Sequence, residues 1–342
     1  MTAVWLTFQP LDVTVFRDGR AFDAGVDAAA VTTLPRPSTV AGAAAAALGR
    51  RELAGVAGPL LSRLDPEGGA AVVFSSPCDL VEDTAAGTVT RLGVDQTPAG
   101  GARTDLSGVS GFPTGQGERL DGWLDADQLQ RYLDGDADAV CAELAEERPR
   151  PLLVTERRVG LARAPDRTVA PGFLYAAEFW RPTVDGVGFA CRVEPGDGPA
   201  QLTRPLVRLG GEGRHAQVRL HRSEAVGLPR PPGAFDDGRL LLYVATPAVF
   251  ADGWRPPVDP RFLVAACVEG PEAIVGFDGS DGRGRPMGWA LRWAVSAGSV
   301  YYLRFPAGEA ERFTRQYHGR CLEQATQRLR TAGFGMCLVG RW

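Results

Sequence analysis

The chain has 342 residues, a formal net charge of −4, and 44% hydrophobic against 23% charged residues, the balance of a globular protein long enough for two cores. All 37 basic residues are arginine, which excludes Schiff-base lysine catalysis and a lysine-dependent Walker A phosphate loop. The mild acidity argues against indiscriminate coating of nucleic acid and leaves room for a basic track on one face.

From the N-terminus, V-W-L-T-F-Q-P-L-D-V-T-V-F (4–16) alternates as a strand with a proline-marked irregularity. F-R-D-G-R-A-F follows, a turn signal carrying Arg17 and Arg20. P-R-P-S-T then places proline beside a Ser38/Thr39 cap, and an alanine-rich helix is expected to about Arg51. Its small residues suit close packing on a sheet, and the N–H groups at its start suit a phosphate. A short strand is expected at 70–75. Residues 82–121 are glycine-rich and aperiodic and read as a long loop. Asp125 caps a helix to about Leu133, and a second helix spans 138–147.

Residues 155–175, T-E-R-R-V-G-L-A-R-A-P-D-R-T-V-A-P-G-F-L-Y, form the most basic excursion, with Arg157, Arg158, Arg163 and Arg167 against Glu156 and Asp166. Pro165, Pro171 and Gly172 forbid a helix, and the chain returns into a strand-like run, so a projecting hairpin is predicted. A solvated hairpin and an arm that touches a polyanion both fit these residues alone.

Strands are expected at 173–181 and 188–193. The run V-R-L-G-G-E-G-R-H-A-Q-V-R-L then reads as a tightly turned strand pair around Gly210, Gly211 and Gly213, with Arg214 at the turn. The proline- and glycine-rich stretch 227–238 is the linker. Beyond it a buried strand over 240–247 leads into V-F-A-D-G (249–253), an echo of V-F-R-D-G (15–19). Further strands are expected near 262–267, 290–295 and 300–305. One helix is expected over 309–330, with Phe313, Tyr317, Cys321, Ala325 and Leu329 at i+4 spacing, then the A-G-F-G loop with Gly333 and Gly335, and a last strand at 336–339. The pattern predicts an α+β protein with two ferredoxin-like domains, over 1–226 and 239–342.

No motif supports catalysis. The three histidines, His215, His221 and His318, show no metal-ligand spacing, and G-V-S-G-F at 108–112 is one glycine short of a nucleophile elbow. Gly211-x-Gly213-x-x-Ala216 is followed by strand residues, unlike a dinucleotide fingerprint. Six cysteines lie far apart without a C-x-x-C pair and read as buried, reduced thiols, and no apolar run reaches membrane-spanning length, so a cytoplasmic protein without metal or cofactor is expected. The candidates are for binding: Arg17, Arg20, Ser38, Thr39, Arg157, Arg158, Arg163, Arg167, Arg214, Gly333 and Gly335. Arginine forks hold phosphate oxygens and stack on unpaired bases, and glycines admit close backbone approach.

In order, F-R-D-G-R-A-F, P-R-P-S-T-V-A-G-A, E-R-R-V-G-L, G-F-L-Y-A-A-E-F, L-G-G-E-G-R and T-P-A-V-F-A-D-G-W-R-P-P resemble the third-subunit family of the Cmr complex. That complex is the type III-B CRISPR effector, and the family belongs to the RAMP superfamily, whose glycine-rich loop is similar to A-G-F-G-M-C-L-V-G-R-W. The resemblance implies two RRM-like domains with inserted loops and a non-catalytic subunit that holds the 5′ tag of the CRISPR RNA, with target RNA nearby. It implies contacts with the large polymerase-cyclase subunit and a backbone RAMP subunit. It also places a thumb-like hairpin on 157–171. A RAMP endoribonuclease using His215 or His318, and the equivalent type III-A subunit, are the alternatives. The chain departs from the family in lacking lysine, in its long glycine-rich loop at 93–117, and in showing no evident RRM aromatic pair.

Overall fold

The computed structural model describes residues 3–17, 32–65, 69–96, 109–222, 225–277 and 289–342, and for residues 162, 169–175, 277 and 289 the backbone alone. In chain order, the first elements are β1 (Val4–Pro10), α1 (Pro37–Ala47), β2 (Gly55–Leu64), β3 (Ala70–Ser75), β4 (Leu80–Asp83), β5 (Thr88–Arg91), β6 (Gly93–Asp95), β7 (Phe112–Thr114), β8 (Glu118–Arg119) and β9 (Trp123–Asp125). Next come α2 (Ala126–Leu133), α3 (Ala137–Glu146), β10 (Leu153–Arg163), β11 (Val169–Pro182), β12 (Val187–Glu194), β13 (Leu206–Arg208) and β14 (His215–His221). The remainder holds β15 (Arg239–Val244), β16 (Leu263–Cys267), β17 (Glu272–Phe277), β18 (Trp289–Ala294), β19 (Val300–Arg304), α4 (Glu309–Tyr317), β20 (Arg320–Cys321), α5 (Gln327–Thr331) and β21 (Met336–Gly340).

Two antiparallel sheets carry the structure: a seven-stranded one ordered β13-β14-β1-β12-β2-β3-β9 and a five-stranded one ordered β16-β19-β15-β21-β20. The alanines of α1 explain its position. Val40, Ala43, Ala44 and Ala47 lie against Leu6, Phe8, Leu61, Phe189 and Val193 on one face of the larger sheet, where a bulkier helix face would not fit. The opposite face packs on α2, α3 and the smaller sheet in one shared core that includes Trp5, Phe74, Tyr132, Tyr243 and Tyr302. β15 shows the period-2 logic of a strand buried on both sides. Leu241 and Tyr243 enter the shared core, while Leu240, Leu242 and Val244 join a separate core under α4.

Asp79 lies in the shared core, fully buried. Tyr132 donates to both its carboxylate oxygens (2.6 and 2.7 Å), Tyr302 donates at 2.6 Å, and Arg91 Nε donates at 2.8 Å. The Arg91 guanidinium also lies 4.9 Å and 5.6 Å from the two tyrosine ring centroids. Burial, and then the Asp79 charge, push both tyrosine hydroxyls far above their usual range, so they remain donors. The carboxylate thus ties α2 to β19, accepting from both tyrosines and from Arg91.

The structure departs from the sequence expectation in four places. The helix expected over 309–330 is broken: α4 ends at Tyr317, Gly319 takes φ +68°, β20 pairs with β21, and Thr326 starts α5 by accepting from the Leu329 N–H. Its i+4 spacing is real, but it is shared between two helices and a strand. Instead of one long loop, the described residues of 82–121 hold all or part of five strands of two to four residues, too short to show a period. β2 and β17 were not anticipated; Gly58-Pro59 interrupts the first, and the second is a short run of six residues. Finally, α1 stops at Ala47, just before Gly49 at φ +64°, rather than at Arg51. All six cysteines are free and buried.

Candidate nucleic-acid interface

A cleft of about 710 Å³ opens between the start of α1, residues 15–17, the Gly210-Gly211 turn, the β17–β18 hairpin and α5. It gathers Arg17, Arg36, Arg292 and Arg328, and no aspartate or glutamate is among its described lining residues. Each arginine arrives by a different route. Arg36 precedes Pro37 at the helix start and donates to the carbonyls of Val275 and Ala273, both at 3.0 Å, so it also joins α1 to β17. Strand alternation turns Arg292 toward the cleft and leaves Leu291 and Trp293 exposed on the outer face of β18. Arg328 comes from α5. Arg17 follows the buried Val15 and Phe16, and its guanidinium lies 4.0 Å from Glu212 at the rim.

The start of α1 offers less backbone than the sequence implied. Pro37 has no N–H, and the N–H groups of Thr39 and Val40 already donate to the Arg36 carbonyl (3.0 and 3.3 Å). Ser38 supplies the remaining N–H of this turn, and the Ser38 and Thr39 side chains are exposed on the cleft wall. Ser38 and Thr39 thus stand beside guanidinium groups rather than in a backbone cradle.

β10 and β11 pair as a separate two-stranded hairpin, in register from Leu153↔Pro182 to Leu161↔Leu174, with an irregularity before Arg163↔Val169. With 11 residues in β10, it reaches roughly 35 Å from base to tip. Arg157 and Arg163 share one face with Val159 and Leu161, which are 67% and 45% exposed, while Arg167 sits in the tip turn at φ +68°. The base is anchored by two backbone hydrogen bonds between Thr14 and Trp180 (2.9 and 2.7 Å) and by Trp180 Nε1 donating to the Thr33 carbonyl. Val13 and Val15 pack there on Ala177 and Phe179. Residues 13–17 therefore run from the hairpin base straight into the cleft.

A family model for CRISPR-associated proteins, Cas_Cmr3, matches residues 6–342. The chain belongs to this family. Both the cleft and the hairpin fall inside the matched span. A chain of the type III-B Cmr-beta complex, solved by cryo-EM bound to cognate target RNA and AMPPnP, has a similar fold. The two superimpose with a TM-score of 0.52 at 15% identity, over 91% of this chain and 93% of that one. A chain of the same type of complex bound to cognate target RNA aligns with a TM-score of 0.48 at 14% identity, over 91% and 89%. No curated protein sequence matches. The Cas_Cmr3 membership agrees with the resemblance drawn from the ordered motifs and places the chain with the III-B rather than the III-A form.

Within this Cas_Cmr3 chain, the sequence candidates separate into three groups. Arg17, Ser38 and Thr39 meet in the cleft. Arg157, Arg163 and Arg167 stand exposed on the hairpin, with no ion pair among the described residues. Arg158 and Arg214 are held at the hairpin base. Both reach Asp12 (3.5 and 2.8 Å) and both lie over the Phe179 ring (5.3 and 5.1 Å), and Arg158 also donates to Glu156 at 2.6 Å. Arg20 lies outside the described residues. The two loop glycines face inward. A Cβ on Gly333 (φ +104°) would stand 2.5 Å from the Gly58 carbonyl oxygen, and one on Gly335 2.2 Å from Gln324 Nε2. Their role is close packing that carries α5 and the buried Phe334 to the cleft wall.

Arg36, Arg292 and Arg328 were missed. Nothing local marks them in a chain where every basic residue is arginine; only the tertiary arrangement of three distant segments brings them together. His318 has both ring nitrogens occupied: Nε2 donates to the Pro229 carbonyl (2.7 Å) and Nδ1 accepts from the Val339 N–H (3.1 Å). Burial lowers its pKa, which keeps it neutral. Among the described residues no group of His, Cys, Asp or Glu fits a metal, and no helix is long and apolar enough to cross a membrane.

Proposed function

We propose that this Cas_Cmr3 chain is a non-catalytic RNA-binding subunit of a type III-B CRISPR effector in antiviral defence. The cleft holds the 5′ tag of the CRISPR RNA, and the exposed face of the hairpin lies against the guide–target duplex. The carrying observation is a cleft that gathers four arginines, with no carboxylate among its described lining residues, joined through residues 13–17 to a hairpin with three exposed arginines. Guanidinium groups from separate elements suit successive phosphates of a single strand. The reading includes bridging of the large polymerase-cyclase subunit to a backbone subunit. It also includes two ferredoxin-like domains over 1–226 and 239–342 with 227–238 between them, supported by the confinement of each large sheet to one of these spans.

The test uses the full chain and a labelled single-stranded RNA carrying a CRISPR 5′ tag, titrated by fluorescence anisotropy across salt concentrations. Arg292→Ala with Arg328→Ala weakens binding roughly tenfold or more and reduces the salt slope by about 1.4, two single-strand phosphate contacts. Unchanged affinity and slope would sink the cleft assignment. Against the endoribonuclease reading stand the two occupied nitrogens of His318. Incubation with repeat RNA leaves the RNA intact on the present reading, whereas metal-independent, site-specific cleavage abolished by His215→Ala overturns it.

A further inference from the structure

A second cavity, of about 280 Å³, opens on the other side of α5. Its floor is the chain entering β2 (54–57), and around it stand Arg192, Glu194, Arg320, Gln327, Arg330 and Thr331. Arg192 is the unusual member. It belongs to β12, inside the larger sheet, with Trp5 of β1 and Ala57 of β2 as its register partners. A guanidinium at such a place is costly to hold unless something offsets its charge.

The protein supplies little of that offset. Among the described residues Arg192 makes no hydrogen bond and no ion pair, and Glu194 acts on it only through space. Burial disfavours the charged form, Glu194 favours it and Arg320 disfavours it again. Arg330 reaches Glu323 only at 3.8 Å, beyond hydrogen-bonding distance, and Arg320 is exposed. Gly319 (φ +68°) lies beside Arg192, where a Cβ would stand 3.8 Å from Nη1, an ordinary contact.

Around one small cavity three guanidinium groups outnumber the single Glu194 carboxylate, and with a hydroxyl and an amide they match the several oxygens and the charge of a phosphate better than those of a carboxylate. The position adds a second argument. α5 is the wall between this cavity and the cleft: Arg328 faces the cleft, while Gln327, Arg330 and Thr331 face the cavity. A strand that leaves the cleft over α5 brings its backbone to these arginines.

We propose that the Arg192–Arg320–Arg330 cavity is a phosphate-binding site separate from the cleft, taking a backbone phosphate of RNA that crosses α5. The RNA source rests on the proposed function; the phosphate chemistry does not. Two arms on the full chain separate them: RNA affinity against salt, and the rise in Tm caused by inorganic pyrophosphate. With Arg320→Ala and Arg330→Ala, RNA binding weakens several-fold, the salt slope falls by about 1.4, and the pyrophosphate effect is lost. If the pyrophosphate effect is lost while RNA binding keeps its affinity and slope, the site stands and its ligand is a free phosphate compound. If both arms match the wild type, the site is refuted, and a loss confined to Arg292→Ala/Arg328→Ala then leaves the cleft reading intact. Arg320→Ala alone, at an exposed position, repeats both arms should the double variant not fold.

Discussion

Arg91 and the arginines of the cleft show opposite uses of the only basic side chain this protein has. Arg91 lies in the core against a fully buried carboxylate, with two tyrosines completing the shell of Asp79. Arg158 and Arg214 repeat the arrangement near the surface, sharing Asp12 and the Phe179 ring. In the cleft, four guanidinium groups converge with no carboxylate among the described lining residues. Carboxylate placement thus distinguishes Arg91, Arg158 and Arg214, which anchor the fold, from the cleft, where Arg36 is held by backbone carbonyls instead. A variant that removes Asp79 or Asp12 therefore acts on stability, and one that removes an exposed hairpin arginine acts on binding.

The largest effect is expected at Asp79. Replacing it with alanine leaves the Arg91 charge and two tyrosine hydroxyls in the core without their acceptor. The loss in unfolding free energy should be about 3–5 kcal/mol, read by chemical denaturation. A loss below about 1 kcal/mol would break the comparison, since Arg91 would then not depend on its carboxylate.

The hairpin gives the next test. Replacing Arg157, Arg163 and Arg167 with alanine should lower affinity for a guide–target duplex and reduce the salt slope by about 2–3. Stability should stay within roughly 0.5 kcal/mol, because all three are exposed and unpaired among the described residues. A stability loss with unchanged RNA binding would instead move these residues into the structural class.

The hairpin was legible in the sequence because its signals are local: two β-favouring runs separated by prolines, with charge concentrated between them. The α2 start was legible for the same reason, since Asp125 and Gln128 form a capping box within four residues. The cleft was only half legible. Arg17 and Ser38 lie beside turn and cap signals, whereas Arg36, Arg292 and Arg328 are brought together across more than 250 residues by β17 pairing with β18 and by the break before α5. That break was hidden because Phe313, Cys321 and Leu329 keep helical spacing while serving different elements. Arg158 and Arg214 show the converse limit: both look like ligands in sequence, and only their convergence on Asp12 marks them as anchors.

That convergence can be tested by acid, with the smallest expected effect. A hydrogen bond from the Val13 N–H lowers the pKa of Asp12, burial opposes this, and Arg158 and Arg214 lower it further. Glu156 is lowered as well, by hydrogen bonds from Arg181 and then Arg158. A carboxylate whose folded pKa lies below its unfolded value contributes stability above the unfolded pKa, about 3.9 for aspartate, and loses it as pH falls through the folded one. The hairpin base should hold unchanged from pH 7 to about 5 and loosen below about 4. For a half-exposed pair such as Asp12–Arg214 the contribution is on the order of 0.2–1 kcal/mol. Amide exchange at residues 177–181, corrected for its intrinsic pH dependence, reads the change. Asp12→Asn should already be looser at pH 7 and lose most of the acid response. If the variant and the wild type respond alike, Asp12 is not what holds the arm, and the anchoring belongs to the Thr14–Trp180 backbone pair, the Trp180–Thr33 hydrogen bond and the Val13/Val15 packing.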